Sequence, residues 1–146
     1  MDTRKQNALK LNMQTPQIIQ LPKIPDRRGN LSFFENYNQI PFEIKRVYWI
    51  YDVPGGEERG GHAYKKNEEL IVALSGSFDV ILDDGNTKFT FSLNRSYYGL
   101  YVPKMYWREM NNFSTNSLAI IVSNTEYDEK DYIRDFDEFC VLRKRI

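Results

Sequence analysis

A single histidine, a single cysteine and no surplus of either charge narrow what this 146-residue chain can do. One cysteine, Cys140, excludes an internal disulfide, and one histidine falls short of the imidazole set of a histidine-rich metal centre. With 20 basic against 20 acidic residues the net charge is +0, which argues against a nucleic acid or an anionic membrane as the main partner. An anionic ligand must then be met locally, by clustered guanidinium groups. No apolar run approaches the ~20 residues that cross a bilayer. The stretch from Met1 to Gln20 also lacks the apolar core of a secretory signal, so a soluble cytoplasmic protein is the expectation.

What is present has the texture of an all-β domain. Residues 1–20 are polar and weakly patterned, and read as an N-terminal arm that is either flexible or held by a partner subunit; residues 21–146 read as one domain. From Asn30 onward, short β-branched and aromatic runs alternate with Gly, Pro, Asn and Asp clusters, the pattern of a β-sandwich or barrel. The clearest strand is predicted over residues 42–53, with Phe42, Ile44, Arg46, Tyr48 and Ile50 on one face and Lys45, Val47, Trp49 and Tyr51 on the other. An arginine and a tyrosine among apolar neighbours predict an inner face that turns polar at one end, as a barrel does around a ligand. Val80, Leu82, Phe89 and Phe91 flank Asp83-Asp84-Gly85-Asn86 and predict a hairpin. Further strands are expected within 97–110 and 117–123, the second carrying a buried apolar run from Leu118 to Val122. Tyr132, Ile133, Phe136 and Phe139 fall at helical spacing, which predicts short C-terminal helical turns. Sheets of this type pair through an edge strand or an exchanged arm, so a homodimer is expected.

The densest chemistry lies between Gly56 and Gly76. Gly56, His62, Tyr64, Glu69 and Gly76 are separated by five, one, four and six residues, a spacing that resembles the first cupin motif with Tyr64 where a second histidine would stand. Pro103 and Asn112 fit the second motif, with Arg108 at its histidine position and Met105 at a glycine position. The fold class expected from this is a cupin-type jelly roll. A guanidinium stays protonated and repels a divalent cation, so the expected site holds no metal and accepts an anion.

Arg28-Gly29-Asn30-Leu31, the run from Pro41 to Tyr48, Arg59-Gly60-Gly61-His62-Ala63, Leu82 to Asn86, Gly99 to Val102, Trp107 to Met110 and Tyr132-Ile133-Arg134 extend over nearly the whole chain after the arm. Together they resemble the dTDP-4-keto-6-deoxyglucose 3,4-ketoisomerases, the WxcM-like group. The resemblance implies removal of the C3 proton by a base, a cis-enediol, and return of the proton to C4, with no cofactor consumed and a dTDP-linked keto-deoxyhexose as substrate. It assigns the base to His62, whose imidazole suits proton transfer near neutral pH. The family usually carries a second histidine two residues later; Tyr64 there shares the face of His62 and can relay a proton to a sugar oxygen. Arg59, Arg46, Lys65 and Arg28 are candidates for the pyrophosphate, because guanidinium forks match phosphate oxygens. Tyr48, Tyr101 and Trp107 are candidates to pack on the base or the hexose. Arg28 and Arg108 lie where the family varies with the C4 configuration of its product. Two other readings stay open: a 3,5-epimerase of the related cupin class, and a nucleotide-sugar sensor or inactive paralogue.

Overall fold

The computed structural model describes residues 14–146. The strands, in chain order, are β1 (Gln17–Gln20), β2 (Lys23–Ile24), β3 (Leu31–Ser32), β4 (Arg46–Tyr51), β5 (Arg59–Tyr64) and β6 (Glu69–Ser75). They continue with β7 (Phe78–Asp83), β8 (Lys88–Leu93), β9 (Tyr98–Val102), β10 (Trp107–Asn111), β11 (Leu118–Ser123) and β12 (Tyr132–Ile133). Two five-stranded sheets, in the orders β1-β9-β6-β11-β4 and β12-β5-β10-β7-β8, form the jelly roll, and β2 pairs with β3 as a separate ribbon. Pairing is antiparallel throughout.

The sheets close on each other through alternate residues, as period-2 geometry requires. Ile71, Leu100, Ala119 and Ile121 from the first sheet meet Phe78, Val80, Leu82 and Met110 from the second in the main core. The apolar run of β11 is buried because that strand lies between β6 and β4. The strand predicted from residue 42 begins only at Arg46, since Phe42 and Ile44 instead join Ile19, Leu21, Ile40, Leu70 and Val122 in a second cluster on the outer side of the first sheet. Along β4, Arg46, Tyr48 and Ile50 are half-buried while Val47, Trp49 and Tyr51 are exposed. Trp49 and Tyr51 are 56% and 61% exposed, with Leu74 beside them at 46%.

Of the expected arm over residues 1–20, residues 1–13 lie outside the described residues, and Gln17–Gln20 form the edge strand beside β9. The C-terminal reading is met in part. A one-turn 3-10 helix (Glu129–Asp131) and the helix α1 (Phe136–Arg143) are present, but Tyr132 and Ile133 pair as strand residues with Tyr64 and Ala63. The Asp131 carboxylate accepts the backbone N–H groups of Lys66 at 2.8 Å and Asn67 at 3.1 Å, which holds the chain against the open edge of β5. Asp135 then caps α1 by accepting from the Glu138 backbone N–H at 2.8 Å. No helix among the described residues is long and apolar enough to cross a membrane.

Candidate active site

A cavity of about 580 Å³ opens between the sheets at the polar end of β4, lined by Arg46, Tyr48 and Ile50 from that strand and by Arg59, His62 and Tyr64 from β5. Arg108 and Met110 of β10 form part of its wall, and Tyr127, Tyr132 and Arg134 its C-terminal rim.

The aim of His62 comes from a local break in regular pairing. Arg108 pairs with His62 but the next residue, Glu109, pairs with Gly60, so Gly61 is an extra residue in β5. Gly60 and Gly61 have φ of +104° and +79°, and a Cβ on Gly60 would stand 2.9 Å from the Arg108 carbonyl oxygen. Only glycine fits that approach. Because paired residues share a sheet face, and residues two apart do too, His62, Tyr64 and Arg108 all enter the cavity.

The three rings of His62, Tyr64 and Tyr132 form a cluster with centroids 5.0 Å, 5.1 Å and 4.7 Å apart. The Tyr64 hydroxyl donates to that of Tyr132 at 3.2 Å. Nε2 of His62 is buried and has no partner among the described residues. Burial, reinforced by the positive charges of Arg108, Arg134, Arg46 and Arg59, holds the His62 pKa down at about 3, so its imidazole is neutral at physiological pH. Burial and the Glu69 carboxylate push the Tyr64 phenol upward, which keeps it protonated. A neutral base and a neutral acid therefore face one space.

Beneath them Glu69 is fully buried and accepts the hydroxyls of Tyr48 at 2.6 Å and Ser123 at 2.7 Å on Oε2, while Oε1 pairs with Nη1 of Arg108. Burial is the largest influence and opposes the Arg108 charge, but Glu69 together with Tyr64 and Tyr48 outweighs it and holds the guanidinium pKa above its usual value. Nε and Nη2 of Arg108 remain without partners among the described residues, as does Nε of Arg46. This donor set does not fit a divalent cation, because the one carboxylate is engaged by a guanidinium and only one imidazole is present. It fits an anion or a developing oxyanion.

Of the residues expected from sequence, His62, Tyr64, Arg46, Tyr48, Arg59 and Arg108 come together around the cavity. The other four lie elsewhere. Arg28 sits on the turn between β2 and β3, exposed and ion-paired with Asp26 at 3.0 Å. Lys65 follows the end of β5 and is exposed. Tyr101 faces the outer cluster, where its hydroxyl donates to Glu68. Trp107 packs against Phe136 and Phe139 of α1 and donates Nε1 to Glu109 at 3.3 Å. Sequence reasoning did not single out Tyr127, Tyr132, Arg134 or the anchoring role of Glu69. The spacing of Tyr132 and Arg134, two apart, carried the signal of a shared strand face, but it was masked by the helical spacing that Tyr132 also makes with Phe136 and Phe139.

Comparison with known proteins gives the same architecture and adds a family. A protein named TDP-4-oxo-6-deoxy-alpha-D-glucose-3,4-oxoisomerase from Aneurinibacillus thermoaerophilus is 46% identical over 123 residues, 84% of this chain and 88% of that protein. The crystal structure of a 3,4-ketoisomerase from Helicobacter canadensis superposes with a TM-score of 0.86 at 40% identity, covering 88% of this chain and 97% of that one. A mutant of the 3,4-ketoisomerase QdtA from Thermoanaerobacterium thermosaccharolyticum, solved in complex with TDP-4-keto-6-deoxyglucose, superposes at 0.87 with 33% identity, covering 89% and 94%. The profile of the FdtA family, described as WxcM-like, C-terminal, matches residues 14–144, and the chain belongs to that family.

Proposed function

We propose that the protein isomerises a dTDP-linked 4-keto-6-deoxyhexose to its 3-keto form without metal or cofactor. The observation that carries this reading is the neutral, unpartnered Nε2 of His62 beside the protonated Tyr64 phenol in an arginine-lined cavity. In this mechanism His62 takes the C3 proton, and the C3–H electron pair becomes the C3=C4 bond of an enediol. Tyr64 protonates the C4 oxygen. Arg108, in the cavity wall with Nε and Nη2 unpartnered among the described residues, serves in this mechanism to stabilise the negative charge that develops on the sugar oxygens. His62 then returns its proton to C4 as the C3 hydroxyl becomes a carbonyl. Arg46 and Arg59 hold the diphosphate, and Tyr48 packs against the sugar while fixing Glu69.

The exposed aliphatic and aromatic face around Trp49, Tyr51 and Leu74 supports a homodimer, and the absence of a membrane-crossing helix among the described residues fits a cytoplasmic enzyme of deoxysugar synthesis. The test is a proton NMR time course of TDP-4-keto-6-deoxyglucose in deuterated buffer, with the parent chain and His62→Asn. Formation of a 3-keto sugar, lost in the variant, is the expected result. Label at C5 would mean an epimerase instead. A phenol at position 64, a weaker base than an imidazole, favours a second reading as a nucleotide-sugar binder; binding with no conversion of the sugar would establish it.

A further inference from the structure

The isomerisation moves protons at carbon and also at oxygen. His62 serves the carbons, but the C4 oxygen must gain a proton that the C3 oxygen later gives up. One phenol would have to reach both oxygens in turn. The cavity presents two. Tyr64, only 2% exposed, has its hydroxyl 3.2 Å from that of Tyr132, about the spacing of two oxygens on neighbouring carbons. Tyr132 is half-buried, lines the same cavity and is placed opposite Tyr64 by the short β12–β5 pairing. Its ring lies 5.1 Å from that of His62 and under the Arg134 guanidinium at 4.3 Å, so it is held on several sides. The Arg108 guanidinium, 4.7 Å over the Tyr64 ring, favours a transient negative charge there.

We propose that Tyr132 is a second phenolic catalytic residue, paired with Tyr64 in a relay that carries a proton from the C3 oxygen to the C4 oxygen. The proposal rests on the isomerase reading above. In the first half-reaction the C3 proton passes to Nε2 of His62, the C3=C4 bond forms, and the C4 oxygen takes the Tyr64 proton. In the second, the C3 oxygen gives its proton to Tyr132 as Tyr132 passes its own to the Tyr64 phenolate. The C3=O bond forms, the C3=C4 electrons take the proton from His62, and all three side chains return to their starting state. No oxidant, reductant or external proton is needed. An imidazole at position 64 would have two nitrogens of its own for the task, so the need for a second phenol follows from the tyrosine there.

The experiment compares Tyr132→Phe in the parent chain with the same substitution in a Tyr64→His background, using TDP-4-keto-6-deoxyglucose as substrate. In the parent, kcat is expected to fall on the order of a hundredfold, with TDP affinity and Tm unchanged. In the Tyr64→His background the penalty shrinks to a few-fold. Loss of TDP binding, an unchanged kcat, or an equal penalty in both backgrounds overturns the relay. A second measurement decides the matter if Tyr64→His does not fold: kcat of the parent should vary with deuterium fraction along a curve, and that of Tyr132→Phe along a straight line. A straight line for the parent overturns the relay. A parent that binds the substrate without converting it removes the isomerase reading and the relay with it, whereas an active parent indifferent to Tyr132→Phe removes the relay alone.

Discussion

Glu68 and Glu69 are neighbours in sequence and opposites in use. Glu68, on the outer side of the first sheet, accepts from the Tyr101 hydroxyl and from Nδ2 of Asn124 at 2.8 Å. Glu69, on the inner side, accepts from Tyr48 and Ser123 and pairs with Arg108. Both carboxylates receive a tyrosine, and burial followed by the neighbouring carboxylate raises both phenols, Tyr101 and Tyr48. The difference lies in what is left over. The Tyr101 and Asn124 groups on Glu68 are neutral, while Glu69 holds a buried cation whose Nε and Nη2 have no partner among the described residues. A scaffold closes its hydrogen bonds; a site keeps some open for a ligand.

Five measurements test this contrast, the substitutions taken from the largest expected effect to the smallest. His62→Asn is expected to lower the isomerisation rate by roughly a hundredfold to ten-thousandfold while leaving Tm close to the parent, and the NMR time course with thermal unfolding reads both. Glu69→Ala strands the Arg108 charge, 2% exposed, in the interior. Denaturant unfolding should show a loss of about 3–5 kcal/mol. Glu68→Ala removes the carboxylate that accepts from the Tyr101 hydroxyl and from Asn124, and should cost only about 1–3 kcal/mol with activity retained. Equal losses from the two glutamates would erase the contrast.

Two further measurements are in pH. The His62 pKa is lowered from 6.5 to about 3 on folding, so between those values the unfolded chain binds a proton that the folded one does not. Stability should therefore be complete above pH 6.5 and decline as pH falls toward 3, with a shallower slope in His62→Asn. Four of the causes that depress His62 are arginine charges, so TDP, by neutralising part of them, should move the imidazole titration upward in an NMR experiment.

The sandwich was legible because alternation and turn chemistry are local. Arg46, Tyr48 and Ile50 face inward as their spacing predicts, and Asp83 to Thr87 turn where Gly85, at φ +92°, supplies the left-handed residue. What alternation does not say is which face is inner. Tyr101 and Trp107 each occupy a strand face turned away from the cavity, one under the outer cluster and one under α1. The strand β12 was not legible, because two residues carry no periodicity and its partner, Tyr64, lies 68 positions away. Arg46, Arg59 and His62, named from the sequence, line one cavity in the structure, while its rim of Tyr132 and Arg134 depends on that distant pairing.

The extra glycine in β5 has a consequence for how such a site can change. A strand reverses its faces at every residue, so the bulge at Gly61 acts as a phase setting: it decides which side chain meets the cavity. Were β5 regular with Gly61 kept, Arg59 and His62 would fall on opposite faces; removing Gly61 leaves the pairings of Gly60 with Glu109 and of His62 with Arg108 intact but straightens the strand that aims His62. The placement of the base thus depends on a residue that takes no part in the reaction, and a change confined to Gly60 or Gly61 can impair the chemistry without altering any reacting group.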